Sequence, residues 1–246
     1  MKRLLLAPLA LLVTPALGAL LYDPASGQLP NNYTPNPWSY GQQTPAPSSV
    51  VTSPVSASVT GGLLNLNTTA ASVRAGWSST GGTMDRSTGY TLSFDLRINA
   101  ETHTSNDRAG VTVIALSSDL QGIELGFWTT EVWAQNVGFT HGEGTSAFNP
   151  TAGVISYDLT IQGSSYTLKA NDTQVLTGSL RNYSASDFPY TTPNFVFFGD
   201  NTFQAAANSH LGAVEFTMVP EPGEWSSLAA VGMLGFAVLR RWQRSR

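Results

Sequence analysis

The residues from Tyr90 to Ile98 alternate strictly between apolar and polar side chains. This period of two predicts a strand with one buried face. Shorter runs of similar composition predict further strands at Leu63–Asn67, Val111–Leu116, Ile123–Trp128, Glu131–Val137, Ile155–Ile161, Tyr166–Lys169, Gln174–Leu180, Phe195–Phe198 and Val214–Met218. No segment between residues 19 and 219 sustains the period of about 3.6 residues that an amphipathic helix requires.

Two turn sequences divide residues 155–180 into a three-strand meander. Gly163-Ser164 and Asn171-Asp172 stand where two-residue hairpin loops need a positive φ. Many short strands at close spacing are typical of a sandwich or jelly roll. An immunoglobulin domain of about 100 residues would leave too much chain unused. We therefore predict an all-β fold, a concanavalin-like jelly-roll sandwich, over residues 19–218.

The beginning of this domain, residues 19–60, is rich in proline between Pro24 and Pro54. Such a composition predicts an extended or irregular chain. Trp38 and Tyr40 lie in the same stretch, and two aromatic side chains indicate that part of it packs on the body of the domain.

Composition and charge exclude several classes of site and partner. The chain has no cysteine, which excludes disulfides, cysteine-based metal sites and thiol nucleophiles. Residues 19–219 hold six basic and fourteen acidic residues, a net charge of −8. Nucleic-acid binding requires clustered lysine and arginine, so we expect no nucleic-acid partner.

Residues 1–18 have the pattern of a secretory signal peptide. Lys2 and Arg3 precede an apolar run from Leu4 to Val13, and the small residues Ala16 and Gly18 suit a cleavage site. A permanent membrane anchor is the alternative, but the run is about half of the roughly 20 residues that a bilayer span needs. We expect the protein to be exported.

Residues 219–246 contain three ordered features. They are the motif Pro220, Glu221 and Pro222, an apolar run from Trp225 to Leu239, and an arginine cluster that opens with Arg240 and Arg241. A helix of this length covers about 22 Å, less than the hydrocarbon core of about 30 Å. We predict a short hydrophobic helix that holds the chain in the membrane, with the arginines on the cytoplasmic side.

This tail resembles the PEP-CTERM sorting signal of Gram-negative bacteria that make extracellular polysaccharide. The resemblance implies recognition and cleavage by an exosortase, a membrane protease, as the processing partner. It further implies a cell-surface or extracellular location, with only transient anchoring by the helix. A plain C-terminal anchor is the alternative.

The central sequence is similar to bacterial choice-of-anchor surface domains of the type called Y. The resemblance covers roughly residues 20–218 and rests on Leu21–Asp23, His103–Gly110, Gly122–Trp128, Trp133–Gln135, Tyr157–Gly163 and Pro193–Asp200. It implies surface display and names no reaction.

Two polar features, a loop and the histidines, are candidates for a metal or ligand site. The loop from His103 to Arg108 contains amide and carboxylate oxygens that suit calcium, but it also suits a turn in which Asp107 pairs with Arg108 or with the backbone. The histidines are far apart in sequence and show no zinc-binding spacing. We expect no metal site and no cofactor.

The segment 122–135 is the candidate binding site. If Thr129-Thr130 is the tip of a hairpin, Gly126 faces Trp133 across the strands. Alternation then places five functional side chains on one face: Glu124, Trp128, Glu131, Trp133 and Gln135. Tryptophan beside carboxylate and amide groups is typical of a sugar-binding surface. A second buried layer under a covering loop is the alternative.

Catalysis by this face is disfavoured. Glu124 and Glu131 would lie roughly 14 Å apart along paired strands, whereas glycosidases separate their carboxyl groups by at most about 9.5 Å. Our first hypothesis is therefore a non-enzymatic structural or interaction protein of the cell surface or polysaccharide matrix. A lectin-like module that binds extracellular polysaccharide is the alternative, and a glycoside hydrolase is third.

Overall fold

The computed structural model describes residues 18–45, 55–70, 73–145 and 148–219. Strands make up 55% of these residues and helix 3%, which confirms the predicted all-β class. The strands of this part are β1 (Ala19–Tyr22), β2 (Ser39–Gln43), β3 (Ser56–Thr60), β4 (Leu63–Asn67), β5 (Arg74–Ser79), β6 (Tyr90–His103), β7 (Val111–Leu116), β8 (Gln121–Phe127), β9 (Val132–Gln135), β10 (His141–Thr145), β11 (Ile155–Gln162), β12 (Ser165–Ala170), β13 (Thr173–Ser179), β14 (Arg181–Asn182), β15 (Phe195–Asp200) and β16 (Ala205–Met218). Short 3₁₀ turns cover Pro24–Ser26 and Pro30–Asn32.

These strands form two antiparallel sheets. Sheet A has the order β13-β12-β11-β6-β16-β4-β3, and β1 pairs with β16 beside β4. Sheet B has the order β10-β9-β8-β7-β15-β5-β2, and β14 pairs with β8. Strands distant in sequence are neighbours in both sheets, as in a jelly-roll sandwich.

The core lies between the inner faces of the two sheets. The apolar face predicted for Tyr90–Ile98 is buried there. The ring of Phe94 on β6 lies 5.2 Å from Phe198 on β15 and 6.3 Å from Phe127 on β8, measured between centroids. Aromatic side chains of this size contribute strongly to the stability of such a core.

The outer face of sheet A is polar, and several of its side chains form hydrogen bonds across neighbouring strands. Five threonines stand opposite one another across five neighbouring strands: Thr177, Thr167, Thr160, Thr91 and Thr217. The hydroxyls of Thr91 and Thr160 are 2.9 Å apart, and Ser93 donates to Asp158 at 2.6 Å. Cross-strand pairs of this kind stabilise a sheet.

The proline-rich start is more regular than its composition suggests. It contributes β1 and the edge strand β3 to sheet A, and β2 to sheet B. Trp38 is buried, and its Nε1 donates to the carbonyl oxygen of Leu21 at 3.1 Å. The ring of Tyr40 lies 5.2 Å from that of Trp77. Two aromatic anchors thus hold this segment on the domain, as predicted.

Both turns of the predicted meander have the expected geometry. Gly163, Asn171 and Asp172 have positive φ, and two-residue loops connect β11 to β12 and β12 to β13. Outside the proline-rich start, the sequence did not predict β5, β10 or the two-residue strand β14, and it predicted only the end of β16, from Val214. For β5 and β10 the composition gives the reason. Glycines interrupt both strands, and β10 forms because it pairs with β9 rather than because its own residues favour a strand.

The predicted signal peptide and sorting tail lie outside the described residues, apart from Gly18 and Val219 at their edges. Pro220, Glu221, Pro222, Arg240 and Arg241 therefore remain predictions. Among the described residues, no helix is long and apolar enough to cross a membrane.

Candidate functional site

Strands β8 and β9 form the hairpin that the sequence predicted. Gly126 stands directly opposite Trp133, and the amide of Trp128 donates to the carbonyl oxygen of Glu131 at 2.9 Å. A Cβ atom at position 126 would lie 2.7 Å from the indole of Trp133, so glycine is needed where the ring crosses the strand. The candidate side chains Glu124, Trp128, Glu131, Trp133 and Gln135 accordingly lie on the outer side of sheet B.

At the centre of this outer side, the side chains are buried and form a second layer beyond the core. Trp133 is fully buried, and Glu124 and Gln135 are each 1% exposed, whereas Trp128 and Glu131 are partly exposed. The covering residues come from segments 139–143 and 181–190 rather than from the proline-rich start. In this structure Trp133 has no surface on which a sugar could stack.

Two histidines complete the cover over the tryptophans. The ring of His141 stacks on Trp133 at 4.4 Å, and the ring of His103 stacks on Trp128 at 4.3 Å. Nε2 of His141 lies 3.5 Å from a carboxylate oxygen of Glu131. Tertiary structure thus brings together two histidines that are far apart in sequence. In the described part of the chain, no group of three His, Asp or Glu side chains could hold a metal ion.

The polar loop before β7 is held by contacts to the protein. A carboxylate oxygen of Asp107 accepts the backbone N–H of His141 at 2.7 Å. The Nε of Arg108 donates to Thr202 Oγ1 at 3.2 Å, and the Arg108 carbonyl accepts Trp128 Nε1 at 2.9 Å. These contacts match the structural interpretation of the loop, with Asp107 bonded to the backbone.

Glu124 lies in a buried hydrogen-bond network. One carboxyl oxygen accepts the hydroxyl of Tyr190, and Asn201 Nδ2 donates to that hydroxyl at 2.8 Å. The other oxygen, Oε1, has no partner. Burial raises the pKa of Glu124, against the opposing effects of the Tyr190 hydrogen bond and the charge of Arg108. Tyr183 closes the network, donating to the carbonyl oxygen of Gln135 at 2.5 Å.

An open groove lies beside this covered region on the same side of sheet B. It consists of two adjoining cavities of about 210 and 290 Å³. They share four lining residues, which are Arg74, Phe188, Pro189 and Asn201. The larger cavity runs along β2 and β5, where Gly41 pairs with Gly76, and Phe188 is 74% exposed at the rim. We call this feature the groove.

Sequence reasoning did not identify the groove. Its lining comes from β2, β5, the loop before β7, Phe139 in the loop between β9 and β10, and the segment 186–201. The one available signal was the alternation in β5, which places Arg74, Gly76 and Ser78 on the face opposite Trp77. That pattern marks a polar face, but it does not show which distant residues will stand beside it.

Comparison with known proteins gives the fold. No family model and no curated protein matches the sequence. A carbohydrate esterase from the Shiga toxin-encoding bacteriophage phi24B is similar in structure, with 12% identity and a TM-score of 0.51, over 82% of this chain and all of the other. A Bacillus subtilis protein of unknown function with a galectin-like fold has 8% identity and a TM-score of 0.53, over 83% of this chain and 98% of its own.

At such low identity these similarities show the architecture alone. Together with the sheet order, they establish this chain as an antiparallel β-sandwich of the jelly-roll class.

Proposed function

We propose that this chain is a carbohydrate-binding β-sandwich that acts without catalysis. The observation that carries the proposal is the open groove on sheet B, which combines an exposed aromatic ring with partly buried polar side chains. Ligand sites typically have this character, because aromatic surface supplies contact area and a few polar groups fix orientation. The similarity to a carbohydrate esterase and to a galectin-like fold adds support by analogy of fold.

The position of Glu124 supports binding rather than catalysis. A general acid must come within hydrogen-bond reach of the bond that it protonates. Burial raises the pKa of Glu124, as an acid of this kind would need, but Glu124 does not line the groove, and Tyr190, which does, occupies one of its carboxyl oxygens. We therefore expect no hydrolysis of any polysaccharide that binds. Release of reducing ends by the wild type, lost in Glu124→Gln, would replace this proposal with a glycoside hydrolase.

Gly41 offers a way to block the groove without disturbing the fold. A Cβ at this position meets no atom within 4 Å, and its φ is not in the left-handed region. Gly41→Phe should fill the groove, lowering polysaccharide affinity at least about 10-fold while leaving the melting temperature unchanged. Gly153 is equally unhindered and does not line the groove, so Gly153→Phe is the matched control.

A glycan array carrying neutral and acidic bacterial polysaccharides, followed by titration of the best ligand, is the measurement. If the wild type binds nothing on the array, or if Gly41→Phe binds as well as Gly153→Phe, the proposal is wrong.

We further propose that the protein is exported and processed at the motif Pro220-Glu221-Pro222. The support is the sequence pattern of a signal peptide, the motif, a short apolar run and a basic cluster. An exosortase-type protease would remove the membrane helix and release the domain at the cell surface. Mass spectrometry of the native protein should then detect no peptide beyond Trp225, and an intact arginine cluster on surface protein would contradict processing.

A further inference from the structure

Two arginines line the groove without a carboxylate partner. Arg74 lies on β5, and Arg108 lies in the loop before β7. Among the described residues, no carboxylate oxygen comes within the 4.0 Å ion-pair distance of either guanidinium. Nε of Arg74 and Nη1 of Arg108 are buried and have no hydrogen-bond partner. Both side chains are only partly buried and line the smaller cavity, so the rest of each guanidinium is open to a ligand there.

Unlike Arg74 and Arg108, the remaining arginines of the domain are either ion-paired or exposed. Arg86 pairs with Asp119 at 2.8 Å, and Arg181 pairs with Glu143. Arg97 is exposed on the outer face of sheet A. The groove thus holds two partly buried arginines without an ion pair in a domain whose acidic residues are in large excess.

The acids nearest to these arginines are otherwise engaged. Asp200 accepts the Thr68 hydroxyl at 2.8 Å and the Thr202 amide at 3.0 Å, one on each carboxyl oxygen. Burial raises its pKa to about 8, so this carboxyl is mostly neutral at pH 7. Glu124 is held by Tyr190, and burial raises its pKa as well. Asp187 lines the smaller cavity, but it is exposed to solvent, which screens its charge.

The two guanidinium groups also act on each other. After burial, the positive charge of Arg108 is the next cause that lowers the pKa of Arg74. Aromatic rings support both groups, because Arg74 lies 4.4 Å from the Phe203 ring centroid and Arg108 lies 4.9 Å from that of Phe139. Two positive charges that line one cavity and rest on aromatic rings form a site for an anion that relieves their repulsion.

We propose that the groove binds an acidic polysaccharide, with the carboxylate of a uronic acid residue bridging Arg74 and Arg108. This inference rests on the proposed carbohydrate-binding function and specifies its ligand class. The carboxylate lies in the smaller cavity, which both arginines line, and accepts hydrogen bonds from the parts of the two guanidinium groups that are open to it. The sugar ring lies toward Phe188 at the rim. A neutral polysaccharide would bring no negative charge to either arginine.

The test compares acidic polymers with their own neutral forms. Polygalacturonate, alginate and hyaluronate are each titrated against the protein beside their carboxyl-reduced derivatives, at low and at physiological salt. At least one acidic polymer should bind 10-fold or more tightly than its reduced form. Arg74→Gln and Arg108→Gln should abolish this preference, and Arg97→Gln, which removes an exposed arginine, should retain it.

Melting temperatures establish that each variant is folded, and Arg74→Lys replaces Arg74→Gln if the latter is not. Equal binding of acidic and reduced polymers would overturn the inference, although the proposed function would stand. Binding of inorganic sulfate or phosphate without any polysaccharide would show a small-anion site and overturn both proposals. If no glycan and no anion bound, both would likewise be wrong.

Discussion

At the scale of single residues, Asp200 is a carboxyl buried at the junction of the two sheets. Its pKa of about 8 lies above the ordinary value of 3.8, because burial disfavours the charged form. The folded state therefore holds a proton that the unfolded state has released between about pH 4 and pH 8. This contribution to stability is complete below the unfolded pKa and is lost as the pH rises through the folded one.

We expect the free energy of unfolding to fall between pH 5 and pH 8 by up to about 1.4 kcal/mol per pH unit from this group. Asp200→Asn keeps the shape of the side chain but cannot ionise, so it should become steadily more stable relative to the wild type over this range. Urea unfolding of both proteins at several pH values measures the difference. A constant difference from pH 5 to pH 8 would contradict the assignment.

Also at the residue scale, substitutions of Trp133 and Phe188 should distinguish an effect on stability from an effect on binding. Trp133 is fully buried, so Trp133→Ala should cost about 3–5 kcal/mol, the usual penalty for a core aromatic residue. Phe188 is 74% exposed, so Phe188→Ala should change stability by no more than about 0.5 kcal/mol. Only the second substitution should weaken polysaccharide binding in a folded protein. Thermal melts together with titration test both expectations, and a small stability loss in Trp133→Ala would mean that its cover opens in solution.

At the scale of elements, Glu143 connects edge strand β10 of sheet B to strand β12 of sheet A. It lies on β10 at the edge of sheet B, accepts the Tyr166 hydroxyl of sheet A at 2.7 Å, and forms an ion pair with Arg181. A Cβ atom at Gly178, on edge strand β13, would overlap this carboxylate. The absence of a side chain at Gly178 therefore leaves room for the carboxylate that links the two sheets.

Gly178→Ala should displace the carboxylate from both partners and cost about 1–3 kcal/mol. In a Glu143→Ala background, the same substitution should cost clearly less, because no carboxylate remains to be displaced. Chemical denaturation of the four proteins in this cycle gives the coupling energy. Additive effects would show that the two residues do not compete for this space.

At the scale of the whole molecule, β16 holds together distant parts of the chain. It pairs with β1, β4 and β6, while the Phe94 ring links sheet A to two strands of sheet B. Neither sheet can bury its inner face without the other, so we expect a single cooperative unfolding transition.

Four of the six tryptophans, Trp38, Trp77, Trp128 and Trp133, lie in or beside sheet B, so tryptophan fluorescence reports mainly on that sheet. Far-ultraviolet circular dichroism reports on both sheets. The urea midpoints from the two signals should coincide, and separate midpoints would show that the sheets unfold independently.

Local alternation made much of the architecture predictable. The strand from Tyr90 to Ile98, the meander turns and the pairing of Gly126 with Trp133 all follow from side-chain periodicity and turn chemistry, which act over a few residues. β10 was missed because its stability comes from pairing with β9, which short-range patterns do not record.

The sequence by itself determined the all-β class and which side chains of each strand share a face, because the two-residue repeat of a strand is a local property. Only the tertiary structure decided that Trp133 is covered and that Arg74 and Arg108 meet at an open groove. The order of strands in a sheet depends on contacts between segments far apart in the chain. Alternation shows that a residue points outward from the core, but the packing of distant loops decides whether it then meets solvent or a covering layer.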